Sequence, residues 1–262
     1  MDKKIIFFDI DGTLLDQETS TIPQSAIDAI EKAMQNGHYC FINTGRPKCT
    51  LDQSVLDIPF DGYICGCGTY IEYQNKQILH NNLSKEARQE TIHAIYDSHS
   101  DAILEGKEAI YFSKNTKHPE LDMLDGYYKE RGFPVFEFDR DDDISFDKFT
   151  VWYHEDTDVD MLKSVLEKYF DIIQRADDMI EVTPQNYSKA SAIQFITDYL
   201  NLSHEQTISI GDSTNDLSML EFTKESVAMG NSHPAIFDVV TYKTTDLRDD
   251  GIYNALKHFN VI

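Results

Sequence analysis

The chain has 262 residues, of which 41% are hydrophobic and 26% charged, enough for one large globular domain or two moderate ones. Its formal net charge of −23 argues against non-specific binding to nucleic acid or to an anionic membrane surface, both of which require a basic field. No apolar run approaches membrane-spanning length and no signal-peptide pattern precedes the first strand, so the expectation is a cytoplasmic protein without membrane partners.

Residues 5–8, Ile-Ile-Phe-Phe, read as a strand buried on both faces. The run ends in Asp9 and Asp11, one residue apart, followed by Gly12. Carboxylates at i and i+2 project to the same side of a strand, which is unfavourable unless a cation lies between them or one holds a proton. Pro23 opens a helix whose apolar stripe is Ala26, Ile27, Ile30, Ala33 and Met34, with a stop at Gly37. A second buried strand at 39–42 leads into Asn43-Thr44-Gly45-Arg46-Pro47, Pro47 is expected to begin another helix, and 62–65 is a third strand. This βαβαβ order implies a parallel sheet with right-handed crossovers.

The rhythm then changes. Segments 69–73 and 77–80 read as a hairpin, followed by helices at 84–98, near 118–131 and near 158–169. Strands are expected at 109–112, 135–138 and 149–153, with a closing hairpin of 172–175 and 179–182 around Asp177-Asp178. The acidic run 139–143 reads as a solvated loop, and Trp152 as core of this block. The first pattern resumes with a helix from Ser188-Lys189 to Leu200, a strand at 207–210, the cluster Gly211-Asp212-Ser213-Thr214-Asn215-Asp216, and a helix over 216–222. Short strands at 227–229 and 239–240 and a helix at 252–259 close the chain. One domain, 83–187, is thus expected within another made of 1–82 and 188–262. Cys40, Cys49, Cys65 and Cys67 match no common zinc spacing and read as reduced thiols.

Polar clusters recur at the carboxyl ends of the parallel strands, where open α/β sheets bind ligands. Thr44 and Gly45 could cradle a phosphate and Arg46 contact an anion, or the segment is an ordinary turn. Lys189 opens a helix where the dipole mildly disfavours it, which suits an anionic partner, though a solvated lysine reads equally from position alone. Asp212 and Asp216 can complete an oxygen-rich cation site of the kind magnesium takes.

Taken together, the motifs resemble those of the haloacid dehalogenase superfamily of phosphatases. Asp9-Ile10-Asp11-Gly12-Thr13-Leu14 is similar to its first motif, Thr44-Gly45-Arg46 to its second, Lys189 to its third, and Gly211–Asp216 to its fourth. Val227-Ala228-Met229-Gly230-Asn231, Asp250-Gly251-Ile252 and the insertion between the second and third motifs resemble the Cof-type, class IIB sugar-phosphatase branch. The resemblance implies a Rossmann-like α/β core with an inserted α/β cap, acting on a small phosphorylated metabolite. It implies Asp9 as nucleophile forming an aspartyl-phosphate and Asp11 as acid and base. Mg²⁺ would be held by Asp9, the Asp11 carbonyl, Asp212 and Asp216, and the phosphoryl group by Thr44, Gly45, Arg46, Lys189 and Asn215. Cys67 departs from the Asn that relatives often carry before the second glycine. A phosphosugar mutase of the same fold, or a phosphoaspartate signalling protein, are the competing readings.

Overall fold

The computed structural model describes residues 3–262. In chain order, β1 (Ile5–Phe8) is followed by α1 (Gln24–Gln35), β2 (Tyr39–Asn43), α2 (Gln53–Leu56), β3 (Gly62–Cys65), β4 (Tyr70–Tyr73) and β5 (Lys76–His80). Then come α3 (Lys85–Asp97), β6 (Asp101–Glu105), β7 (Ile110–Ser113), α4 (Pro119–Glu130), β8 (Val135–Phe138), β9 (Lys148–Trp152), α5 (Val159–Leu166), β10 (Phe170–Ala176) and β11 (Met179–Pro184). The chain closes with α6 (Lys189–Tyr199), β12 (Thr207–Gly211), α7 (Leu217–Phe222), β13 (Glu225–Ala228), β14 (Tyr242–Lys243) and α8 (Gly251–His258). The chain divides into two compact units. The first comprises Met1–Gly45, Leu51–Leu79 and Ser188–Ile262, and the second Arg46–Thr50 and His80–Tyr187.

In the first unit the strands run in the order β14-β13-β12-β1-β2-β3-β4-β5. The pairs from β14 to β3 are parallel, and β4 returns antiparallel on β3. β1 lies at the centre because every one of its residues is apolar and can be buried on either face. Ile6 and Phe8 pack with Ile30 and Ala33 of α1 and Ala255 and Leu256 of α8. Ile5 and Phe7 pack on the opposite face with Ile193 and Ile196 of α6 and Met219 of α7. The result is three layers, helices on both faces of a parallel sheet, as the βαβ order requires.

The second unit holds a six-stranded sheet in the order β10-β11-β9-β6-β7-β8, antiparallel except for β7 against β8. One face is apolar: Ala102, Leu104, Phe149, Val151, Ile180 and Val182 pack under α3 and α5. The other face carries Ile103, Phe112 and Trp152 beneath Leu121 of α4, together with a row of charged side chains.

Three expectations need correction. Pro47 does not begin a helix: the Thr50 N–H and hydroxyl both return to the Pro47 carbonyl, closing a 3₁₀ turn at Lys48–Thr50, and only one α turn follows at Gln53–Leu56. Val239 and Val240 form no strand, and the edge strand is the two-residue Tyr242–Lys243. β6, central to the second sheet, was not anticipated, because its three apolar residues are enclosed by Asp101 and Glu105 and give too short a run to separate from a loop.

Candidate active site

The first unit gathers its polar clusters at one edge of the parallel sheet. β1 continues its ladder one residue beyond Phe8, with the Asp9 N–H donating to the Ile210 carbonyl at 3.1 Å. The next turn is tight: the N–H groups of Thr13, Leu14 and Leu15 all donate to the Ile10 carbonyl, and the Gly12 N–H to Leu15. Gly12 has φ of +81°, and a Cβ there would overlap the Asp212 carboxylate, so both backbone and space demand glycine. The Thr13 hydroxyl donates to Asp212 Oδ1 at 3.2 Å, tying the β1 and β12 tips together.

β12 ends at Gly211, where a Cβ would lie 2.7 Å from the Asp216 carboxyl carbon. Asp216 is fully buried and all its acceptor capacity faces inward. Its Oδ2 accepts from the Asp212 and Ser213 N–H groups, and its Oδ1 from Lys189 Nζ at 2.6 Å. Lys189 enters from the first position of α6, which Ser188 caps reciprocally with Ser191. Its ammonium, 1% exposed, also donates to Asp9 Oδ1 at 2.6 Å. One cation therefore bridges the nucleophile candidate and the buried Asp216. That contact answers why a lysine stands at an unfavourable helix start.

Ligand oxygens of Asp9, Asp212 and Asp216 all lie within 4.8 Å of one another. Burial, then the Asp216 charge, push Asp9 up to about 8 even though Lys189 opposes both. Asp212 is pushed up to about 7 by burial and Asp216, with Asp11 adding to the repulsion. Burial alone would lower Lys189, but Asp216 and Asp9 raise it well above the ordinary lysine range, so it stays charged. Three carboxylates share one ammonium, leaving an excess of negative charge on hard oxygen donors. That donor set fits a divalent cation such as Mg²⁺. Asp9 and Asp212 have oxygens to offer it, whereas those of Asp216 are already committed to Lys189 and two backbone N–H groups.

The remaining residues singled out in the sequence fall as follows. Asp11 is half-buried in the turn after β1, bridged to Leu15. Thr44 is buried at the β2 tip, its N–H donating to Ile64 and its carbonyl accepting from Cys67. Gly45 follows, and an added Cβ there would meet only Cys67 Sγ at 3.6 Å. Asn215 is exposed, its Oδ1 accepting from the Ser213 hydroxyl at 2.6 Å. Arg46 belongs to the second unit, where Nη1 donates to the Thr50 carbonyl.

Two residues lie in stretches named in the sequence but were given no role there. Asn43 is fully buried and donates through Nδ2 to the Lys189 carbonyl at 3.1 Å, holding the start of α6 against β2. Asn231 donates to the Gly12 carbonyl at 2.7 Å and accepts from the Leu247 N–H, while the His233 N–H donates to the Asp212 carbonyl. A polar Asn ending an otherwise apolar strand was the available signal for Asn43; Asn231 stands in the Val227–Asn231 motif named above, but its contact with Gly12, 219 residues away, could not be read from it.

Among the described residues, no helix is long and apolar enough to cross a membrane. A family model described as haloacid dehalogenase-like hydrolase matches residues 6–256. The chain is 27% identical over 271 residues to the 5-amino-6-(5-phospho-D-ribitylamino)uracil phosphatase YitU of Bacillus subtilis, covering 97% of each chain. Its fold is similar to that of the subclass IIB sugar phosphatase BT4131, with TM-score 0.81, 28% identity, and 99% and 100% of the two chains covered. It is likewise similar to the phosphatase BT1666 of Bacteroides thetaiotaomicron, with TM-score 0.84, 25% identity, and 99% and 96% covered. With the family's match running through all four polar clusters and the insertion between them, the chain belongs to the haloacid dehalogenase-like hydrolases, on their phosphatase branch.

Proposed function

We propose that this protein is a Mg²⁺-dependent phosphatase of small phosphorylated metabolites, sugar phosphates above all, working through an aspartyl-phosphate on Asp9. The observation that carries the reading is the Lys189 ammonium held between Asp9 and Asp216, with Asp212 beside them, at the tip of the central strand. The names of the relatives, a phosphoribitylaminouracil phosphatase and a sugar phosphatase, support the substrate class.

Lys189 keeps one oxygen of Asp9 fixed and offsets its charge, so the other oxygen is oriented to attack phosphorus in line with the leaving group. A bond forms from Asp9 to phosphorus as the ester oxygen departs, and Asp11 would give that oxygen its proton. Asp11, now a carboxylate, would take a proton from the water that cleaves the aspartyl-phosphate, releasing inorganic phosphate and restoring Asp9. Thr44, the Gly45 backbone, Lys189 and Asn215 would bind the phosphoryl oxygens, with Arg46 contributing positive charge. Asp9, Asp212 and the Asp11 carbonyl would hold Mg²⁺, while Asp216 would hold Lys189 and the Asp212 backbone in place. When bound, the ion supplies the positive charge that lets two anionic groups meet. The insertion at 83–187 would serve as the substrate-selecting cap.

The test is release of inorganic phosphate from a panel of sugar and polyol phosphates with and without Mg²⁺. Asp9→Asn should lower kcat by about a thousandfold or more, and EDTA should abolish turnover in the unmodified protein. Substantial turnover by Asp9→Asn would remove Asp9 as nucleophile, and full activity in EDTA would remove the metal.

A further inference from the structure

Within the first unit, Asp11 stands in a loop that is tethered twice to one element, the 3₁₀ turn Leu247–Asp249. The first tether runs through Asn231, which accepts from the Leu247 N–H at 3.0 Å and donates to the Gly12 carbonyl at 2.7 Å, directly beside Asp11. The second is Arg248. Its Nε and Nη2 donate to the two carboxylate oxygens of Asp16, and Nη2 also to Glu18. The turn is itself fixed. Asp246 accepts from the Arg248 N–H through its side chain and from the Asp249 and Gly251 N–H groups through its carbonyl, and Leu247 is buried in the apolar core.

Asp16 is the hub of the loop. Its Oδ1 accepts from the Glu18 and Thr19 N–H groups, its carbonyl from Ser20, and its own N–H donates to Thr21. Gln17 to Thr21 are exposed, so the loop tip hangs on that one side chain. Immediately before it, Leu15 bridges back to Asp11 and accepts from the Gly12 N–H. A displacement of Asp16 therefore passes through Leu15 to Asp11. Packing does little to prevent it, because a cavity of about 270 Å³ separates loop from turn, lined by Gly12, Asp16 and Glu18 on one side and Asp246, Leu247 and Arg248 on the other. The Arg248 side chain is about half exposed, so its ion pairs add little to global stability. What a two-pronged guanidinium restricts is orientation, and the same fork holds the Asp16 carboxyl well below the usual carboxylate range.

We propose that Arg248 is a positioning residue for proton transfer: by clamping Asp16 to the Leu247–Asp249 turn, it fixes the loop that aims the Asp11 carboxyl at the departing ester oxygen. The inference rests on the phosphatase reading, in which that oxygen takes the Asp11 proton as its bond to phosphorus breaks and the bond from Asp9 forms. Arg248 acts on the reaction only through the loop. Its effect should therefore scale with the leaving group's need for a proton: an alkoxide departs poorly without one, whereas p-nitrophenolate departs unaided.

The test compares kcat/KM, which covers the steps up to leaving-group departure, for glycerol 2-phosphate and p-nitrophenyl phosphate with Mg²⁺ present. Arg248→Ala should lower it about tenfold for the alkyl ester and less than about twofold for the aryl ester, a fraction of the about hundredfold or more that a general acid supplies. Asp16→Asn combined with Arg248→Ala should be no more than about twofold slower than Arg248→Ala alone, because both remove the same clamp. Independently of turnover, amide hydrogen exchange at Glu18 and Thr19 should quicken at least about fivefold in full-length Arg248→Ala while the β1 amides keep their protection. Equal losses for the two esters, multiplied losses in the double variant, or unaltered exchange in the loop would each overturn the proposal. If the unmodified protein released phosphate from neither ester, the phosphatase reading would fall and the positioning role with it, while the exchange measurement would still decide whether Arg248 clamps the loop.

Discussion

Glu181→Gln is the substitution whose consequence the structure fixes most closely. The Lys148 charge, acting against burial and aided by Arg175, holds the Glu181 carboxyl at about 2 instead of the usual 4.5. A difference of that size corresponds to about 3 kcal/mol of stability at neutral pH. Breaking a buried ion pair gives a similar figure, about 3–5 kcal/mol, and the lower end applies because Lys148 keeps Glu105. The sign follows from the depressed value: the stabilisation is complete above 4.5 and is lost as pH falls toward about 2. Glu105 is pushed the opposite way, burial first, but it is present in both proteins and largely cancels in their difference. Urea unfolding followed by Trp152 emission, a reporter within the same unit, should show the variant about 3 kcal/mol less stable at pH 7 and about 1 kcal/mol less stable at pH 3. An equal deficit at both pH values would mean that shape and not charge is what Glu181 contributes, and would refute the electrostatic account of the cluster.

Other consequences are simpler to state. Lys189→Met leaves Asp9 and Asp216 buried without their shared cation and should cost about 3–5 kcal/mol in thermal unfolding; a loss below about 1 kcal/mol would contradict the bridging role. Gly12→Ala must either strain the left-handed backbone or displace Asp212, so it should lower kcat more than the about 1 kcal/mol it takes from stability, and a fully active variant would show the turn to be pliable. Cys67 stands at φ 54°, ψ 37°, a left-handed conformation that a cysteine adopts at a cost. Cys67→Gly should therefore raise stability by about 1 kcal/mol, whereas a decrease would mean that the thiol's contacts outweigh the strain.

The parts of the site that could be read from the sequence are those written in local pattern. Asp9 and Asp11 follow an apolar run too short and too β-branched to be a helix, and Gly211-Asp212 follows another. What could not be read is what acts across the fold. That Lys189 reaches Asp9 depends on α6 packing against the face of the sheet formed by Ile5 and Phe7, a pairing 180 residues apart. Asn43 looked like the first residue of a turn, and only its complete burial under α6 shows it as a clamp. In the second unit, β6 hid because a central strand ending in Glu105 breaks the usual rule that interior strands are apolar, and the reason for the breach is the ionic row on the open face. Pro47 misled for the reverse reason: its fixed φ suits a helix start, but the Thr50 hydroxyl captured its carbonyl first.

The position of β1 also has a bearing on biosynthesis. Its neighbour β2 follows within about 35 residues, but its other neighbour, β12, lies some 200 residues further along, with Ile5 aligned on Thr207. At about 5–20 residues per second, β1 waits roughly ten to forty seconds with one apolar edge bare. The second unit, nearly continuous in sequence, can close during that delay, while the first remains half-built. Asp9 gains its ammonium only once residue 189 has been made, and that ammonium its second carboxylate only at 216. Until then the Asp9 carboxylate lacks the charge partner that the folded unit gives it.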